Sequence, residues 1–395
     1  MPLTLLFDLD DTLIDTNLAS FVPAYFQALG NHLADRTTHE VMGRALVTGM
    51  NSMNSSEDAT RTLMEVFDAD FYPMLGARKE ELVELFDEFY DNKFSALEAH
   101  TKQRNEAARL VQWALSKGYR VAIATDPVFP RKATYQRVRW AGIDPDGIEL
   151  ISTFENFHFT KAHPAYYAEV LGRLGWPEGP ILMVGNDVDR DLVPANKLGL
   201  ATYFIDGDSA SSPGFEAGRG TLADLRSWLE SVDLSTLEPS FKSREAILAI
   251  LTSTPAVLQS LSSPLTNDQW RREPTRADWA MNEIICHLRD TEREIHQLQL
   301  NLLLEREGAF IPRPDTGIWA NEREYLNVEG HKALADFAAA RLQVLKILKE
   351  QDETMWSRRA RHAIFGPTNF LEVVNFIADH DRLHVQQAWK TLQRI

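Results

Sequence analysis

The stretch that decides the fold is "LTLLFDLDDTLID", Leu3 to Asp15. Leu3 to Phe7 is short and almost continuously apolar, the pattern of a strand buried on both faces. Four aspartates, Asp8, Asp10, Asp11 and Asp15, then fall within eight positions. Carboxylates held that close repel one another, so their placement needs a partner that offsets the charge. In an open parallel sheet, ligands bind at the carboxyl ends of the strands. A divalent cation shared by the acids supplies the missing partner, and hard cations such as Mg²⁺ take oxygen ligands while leaving room for phosphate.

Outward from this stretch, apolar residues at helical spacing run from Thr16 to about Glu98: Leu18, Phe21, Val22, Tyr25, Phe26 and Leu29, then Leu82, Leu85, Phe86, Phe89 and Tyr90. Between them "TGMNSMNSSEDAT" reads as a polar loop. Strands and helices then alternate. "AARLVQWALSKGYRVAIAT" is a helix, a Gly118 stop and a buried strand from Tyr119 to Thr125. "ILMVGND" and "ATYFID" are further buried strands, separated by helices. That alternation predicts an α/β unit with a parallel sheet and helices on both faces. Gly207 to Gly220 reads as a flexible loop, and "DLSTLEPS", residues 233–240, as a linker. Beyond it no strand pattern is visible. Four amphipathic segments, Ser243–Leu261, Trp279–Arg306, His331–Glu350 and Asn369–Leu392, predict an antiparallel four-helix bundle.

The composition bounds the function. A chain of 395 residues is too long for one ordinary core. Its net charge of −16 argues against nucleic acid or an anionic membrane as the main partner. No apolar run reaches membrane-spanning length, and the short N-terminal run, broken by Asp8, does not read as a signal peptide. With Cys286 as the one cysteine, no internal disulfide can form, and a reducing, cytoplasmic location is the natural expectation.

Polar groups end three of the expected strands: Asp8 and Asp10, Thr125, and Asn186 with Asp187. Lys161, in "FTKAHPAYY", lies in the connection between the second and third. "DLDDTLID" resembles the DxDxT motif of the haloacid dehalogenase (HAD) superfamily. Thr125, Lys161 and "VGNDVDRD" follow in the order of that family's motifs. The resemblance implies a Rossmann-like core over residues 1–15 and 99–232, with an all-helical cap over 16–98. It implies Asp8 as nucleophile, forming an aspartyl-phosphate, and Asp10 as general acid and then base. Thr125 and Lys161 would hold the phosphoryl oxygens. Asp8, the Asp10 carbonyl, Asn186, Asp187 and Asp191 form the candidate Mg²⁺ set. A carboxylate attacking phosphate is anion meeting anion, which calls for both a metal and a lysine. The aspartate two residues after the nucleophile is missing from haloacid dehalogenases and P-type ATPases, so it favours phosphate esters. The expected activity is hydrolysis of a small phosphorylated metabolite, with a phosphomutase or phosphotransferase as the alternative. His163 is expected to face solvent, and Asp189 to be exposed. Arg44 is expected either to reach an anionic substrate group or to form a surface salt bridge.

In the C-terminal segment, His380 and His384 stand at i and i+4, on one face of the last helix. His287 ends the apolar series Ile284, Ile285, Leu288 on another. Three converging imidazoles with an open fourth position describe a catalytic metal site for Zn²⁺, Ni²⁺ or Fe²⁺. This segment, 241–395, resembles the DinB-like superfamily through its tryptophan followed by "CHL" and its terminal HxxxHxxQ, here His380, His384 and Gln387. The resemblance implies His287, His380 and His384 as ligands, and a low-molecular-weight thiol as a possible co-substrate. Glu283 is a candidate for orienting His287. Cys286 is expected to be core filler, and Trp279 and Trp319 packing anchors. The alternative for the bundle is a non-catalytic interaction or oligomerisation module.

Overall fold

A computed structural model describes residues 2–205 and 213–395. The chain forms two compact units, one of residues up to Val170 with Glu178–Ser240, the other of Leu171–Pro177 with Phe241–Ile395. No helix among the described residues is long and apolar enough to cross a membrane.

The first unit opens with β1 (Thr4–Phe7), every residue of which is buried. β2 (Ile14–Thr16) follows, and then four helices: α1 (Leu18–His32), α2 (His39–Ser55), α3 (Leu63–Leu75) and α4 (Lys79–Asn92). α2 takes in most of the stretch expected to be a polar loop. Met42, Ala45, Leu46, Gly49 and Met53 form its buried face, and this sparse apolar stripe among Asn and Ser is enough to hold it. β3 (Thr101–Gln103) pairs antiparallel with β2, so the chain leaves and re-enters the helical block through one small ribbon.

Helix and strand then alternate through α5 (Asn105–Ser116), β4 (Arg120–Ile123), α6 (Arg131–Trp140), β5 (Leu150–Ile151), α7 (Pro164–Arg173), β6 (Ile181–Gly185), α8 (Val193–Leu198), β7 (Ala201–Ile205), β8 (Gly218–Gly220) and α9 (Leu222–Leu229). The strands form one six-stranded sheet of order β5-β4-β1-β6-β7-β8, with all pairs parallel. The expected loop Gly207–Gly220 lies partly outside the described residues, and its last three form β8. Residues 233–240 are not a free linker: Leu234–Leu237 makes a 3₁₀ turn, and Leu237 is fully buried in the first unit's core.

β1 sits between β4 and β6, with Phe7 level with Ile123 and Val184. One step on, Asp8 stands beside Ala124 and Gly185, just short of Thr125 and Asn186. The chain builds outward from β1 through β4 to β5, then returns to its other side for β6. That reversal is where an open sheet leaves a crevice for ligands.

The second unit contains α10 (Arg244–Ser262), the short α11 (Asn267–Trp270), α12 (Met281–Thr291), α13 (Gln297–Glu305), β9 (Ala309–Ile311), the short α14 (Trp319–Glu322), α15 (Gly330–Lys349), the short α16 (Glu353–Trp356), β10 (Arg359–His362), β11 (Gly366–Asn369) and α17 (Phe370–Leu392). α10 packs against α15 and α17, and so does α12, which closes a ring of four helices. Contrary to the expectation of no strands here, β11-β10-β9 form a small sheet. Three- and four-residue strands carry too little alternation to be read from sequence. A π-helical turn at Glu292–His296 joins α12 to α13.

Candidate functional sites

At the sheet edge, Asp8 is 5% exposed and Lys161 2%. Lys161 Nζ donates to Asp8 Oδ1 at 2.5 Å and also to Asp191 Oδ1. Asp191 Oδ2 accepts the backbone N–H groups of Asn186 and Asp187, both at 3.0 Å. Both Asp191 oxygens are therefore committed, one to the lysine and one to the loop. Gly185 is required here, because a Cβ at that position would stand 2.2 Å from Asp191 Oδ2. Burial, then the charge of Asp191, push the Asp8 carboxyl up to about 8, with Lys161 opposing and Asp10 adding to the rise. Burial also raises Asp191. Two buried carboxylates thus share one ammonium, and the shortfall of positive charge fits a divalent cation.

Asp10 lies in the turn after β1, where Asp11 adopts φ 54°, a left-handed conformation that aspartate tolerates better than most side chains. Asp11 Oδ1 accepts the Thr16 N–H at 2.8 Å, which ties the turn to β2. Thr16 Oγ1 donates to Asp10 Oδ1 at 2.6 Å, and Arg137 donates to the same oxygen. Neither touches Oδ2. Thr12 Oγ1 donates to Asn186 Oδ1 at 2.9 Å, joining the first and last motifs. Asp187 Oδ1 caps the next turn by accepting from Asp189 N and Arg190 N. Thr125 is 3% exposed, and its carbonyl accepts from Ser152 at 2.6 Å and Tyr166 at 2.8 Å.

Other candidates fall elsewhere. Arg44 pairs at 3.7 Å with Glu40 on the surface of α2. Asp189 is exposed. His163 is half-buried and lies 3.1 Å from the Asn54 carbonyl, so it faces solvent only in part. Sequence reasoning missed Arg137, which is 2% exposed and held over the rings of Phe21 and Phe129. Its signal was present: Arg137 shares the buried face of α6 with Ala133, Thr134, Val138 and Trp140.

In the bundle, α12 carries His287 and its neighbour α17 carries His380 and His384. One ligating nitrogen from each lies within 4.8 Å of the others, the sole such cluster of His, Cys, Asp or Glu among the described residues. The Nε2 atoms of His287 and His380 are 3.1 Å apart. His384 Nδ1 lies 2.8 Å from Gln387 Oε1, an arrangement that turns its Nε2 toward the other two rings when Nδ1 carries the proton. Burial, then the neighbouring imidazoles, hold His287 down at about 3 and His380 well below its ordinary value. Burial lowers His384 as well. Neutral imidazole is the form that binds a metal.

Glu283 does not orient His287; its Oε2 accepts the Ala280 N–H at 2.9 Å and closes the start of α12. Trp279 packs against the site itself: its ring stacks on His384 with centroids 5.9 Å apart. Burial pushes the Cys286 thiol up to about 12, which keeps it un-ionised. Beside the site, the π turn presents His296, whose Nδ1 lies 2.9 Å from Glu292. Arg341, 1% exposed, donates to Glu292 at 2.6 and 3.0 Å and to both oxygens of Asp381. A cavity of about 410 Å³ opens against His296 and His380, lined by Ile295, Phe365, Phe376 and Leu383 among others.

Residues 3–199 match the family model described as haloacid dehalogenase-like hydrolase, and residues 250–388 match that of the DinB superfamily. The chain therefore joins a haloacid dehalogenase-like hydrolase domain to a DinB-superfamily domain. No match to a curated protein was found. Among solved structures, the chain is similar to a HAD phosphatase from Thermococcus onnurineus at 18% identity, over 58% of this chain and 98% of that one, with a TM-score of 0.39. It is similar to a 2-haloacid dehalogenase from Pseudomonas syringae pv. Tomato at 20% identity, over 58% and 99%, with a TM-score of 0.44. YfiT from Bacillus subtilis, of four-helix bundle topology, is 17% identical over 39% and 89%, with a TM-score of 0.35.

Proposed function

We propose that the first unit is a Mg²⁺-dependent phosphatase that hydrolyses a small phosphorylated metabolite through an aspartyl-phosphate on Asp8. The observation that carries this reading is the buried Lys161 ammonium shared by Asp8 and Asp191, in a cluster with one positive charge too few. Lys161 occupies Oδ1 of Asp8, which leaves Oδ2 to attack phosphorus. Asp10, fixed through Oδ1 by Thr16 and Arg137, presents Oδ2 to the leaving oxygen and protonates it. Once the alcohol has left, the same oxygen takes a proton from the water that attacks the phosphoaspartate, releasing inorganic phosphate and restoring Asp8. Thr125 and Lys161 hold the phosphoryl oxygens. Asp8, the Asp10 carbonyl, Asn186 and Asp187 would hold Mg²⁺, whose charge offsets that of the phosphate. Asp191, with both oxygens engaged, braces the lysine and the loop.

The histidines of the second unit form a metal centre for Zn²⁺, Ni²⁺ or Fe²⁺, with His287, His380 and His384 as ligands. Three neutral imidazoles, two buried and one half-buried, with ligating nitrogens within 4.8 Å of one another support this reading. The test of the first reading is inorganic phosphate release by the full-length chain from a panel of phosphorylated metabolites with Mg²⁺. Turnover that chelation of Mg²⁺ does not stop, or no turnover on any member, contradicts it. Elemental analysis tests the second, with one transition-metal equivalent per chain expected.

A further inference from the structure

The helical block leaves a cavity of about 540 Å³ that ends at Asp10 and Arg137. That is the size of a pocket for a small organic molecule. Its wall is built from Val22 and Phe26 on α1, Phe67 and Phe71 on α3, Phe86 on α4, and Phe129 after β4. The polar groups that also border it are mostly satisfied by one another. Tyr25 and Tyr90 pair through their hydroxyls at 2.9 Å. Lys79 holds Asp68 at 2.7 Å, Lys132 holds Asp87 at 2.8 Å, and Glu155 accepts the Arg131 N–H at 2.8 Å. A polyol placed here would leave buried hydroxyls without partners, a cost that discriminates strongly against it. At the Asp10 end, the Arg137 guanidinium is buried and its Nε has no hydrogen-bond partner. Arg137 is thus spent on Asp10 at the ester end of the cavity, and the aromatic side chains of its wall lie beyond it, among polar groups mostly paired already.

We propose that the phosphate ester taken by this site carries a bulky apolar alcohol, aromatic or long-chain alkyl, and not a sugar or other polyol. The inference rests on the phosphatase reading, since the cavity selects the group that leaves from phosphorus at Asp8. Aromatic side chains from three helices and the β4 loop bury that group, and Arg137 marks where apolar body gives way to ester.

The experiment compares octyl phosphate with glycerol phosphate and glucose phosphate, using the full-length chain with Mg²⁺. The octyl and glycerol esters have similar leaving oxygens, so their difference reads the cavity and not the chemistry. The expected KM for octyl phosphate is lower than that for glycerol phosphate by about fiftyfold, from burial of the chain's methylenes. Phe26→Asn, at a half-buried position on the wall, raises the octyl phosphate KM by about tenfold. Phosphate release with glycerol or glucose phosphate at an equal or lower KM overturns the substrate class and leaves the phosphatase reading standing. No phosphate from any of the three esters overturns both.

Discussion

The two candidate sites answer the same physical pressure with opposite chemistry. Burial disfavours the charged form of any titratable group. At the sheet edge this pushes the Asp8 carboxyl up to about 8, and in the bundle it holds His287 down at about 3. For the carboxylates that is a deficit, because the reactive form is the charged one, and a hard cation would restore it. For the imidazoles it is the ligating form already, so no counter-charge is needed before a softer metal enters. The supports differ as well. The acids sit on strand ends and turns tied by Lys161 and Asp191, whereas the histidines stand on two helix faces backed by the Glu292–Arg341–Asp381 cluster.

Substitutions separate the two. The largest effect is expected from Asp8→Asn, which removes the proposed nucleophile and should lower phosphate release at least about a thousandfold; a smaller loss moves the nucleophile elsewhere. Next, Arg341→Met leaves Glu292 and Asp381 buried without a cation. It should cost about 3–5 kcal/mol in thermal or denaturant unfolding, and an unchanged midpoint contradicts a structural role for that cluster. Acid should reveal the same pair. Despite burial, Arg341 and His296 hold the Glu292 carboxyl at about 2, against an ordinary 4.5. The unfolded chain then binds a proton that the folded chain refuses. The stabilisation is full above about pH 4.5 and is lost as the pH falls toward 2, by roughly 3 kcal/mol. Glu292→Gln should flatten that part of the stability profile. Smaller again, Gln387→Ala frees the His384 ring and should weaken transition-metal binding about 10–100-fold, read by competition with a chromophoric chelator. Arg44→Ala, at an exposed pair, should alter stability by less than about 0.5 kcal/mol.

What the sequence disclosed follows the same division. Buried strands such as "ILMVG" announce themselves because both faces are apolar, and the acids that end them mark the sheet edge. The i, i+4 spacing of His380 and His384 put two imidazoles on one face before any fold was known. Contacts between distant segments left no local trace. Arg341 meets Glu292 and Asp381 from three different helical segments, and Thr12 meets Asn186 across 174 positions. Nor could spacing show that Glu283 would turn back to cap its own helix, or that a π turn would bring His296 beside His380. The helix over His39–Ser55 was hidden by its composition, since asparagine and serine favour turns unless packing overrides them.

The most direct test is to trap the intermediate. The full-length chain, turning over an active phosphate ester with Mg²⁺, is quenched and reduced with borohydride, which converts an acyl phosphate of aspartate to homoserine. Peptide mapping should then find homoserine at position 8 and nowhere else. Homoserine at Asp10 or Asp187, or intact aspartate at position 8 while phosphate is being released, contradicts the account.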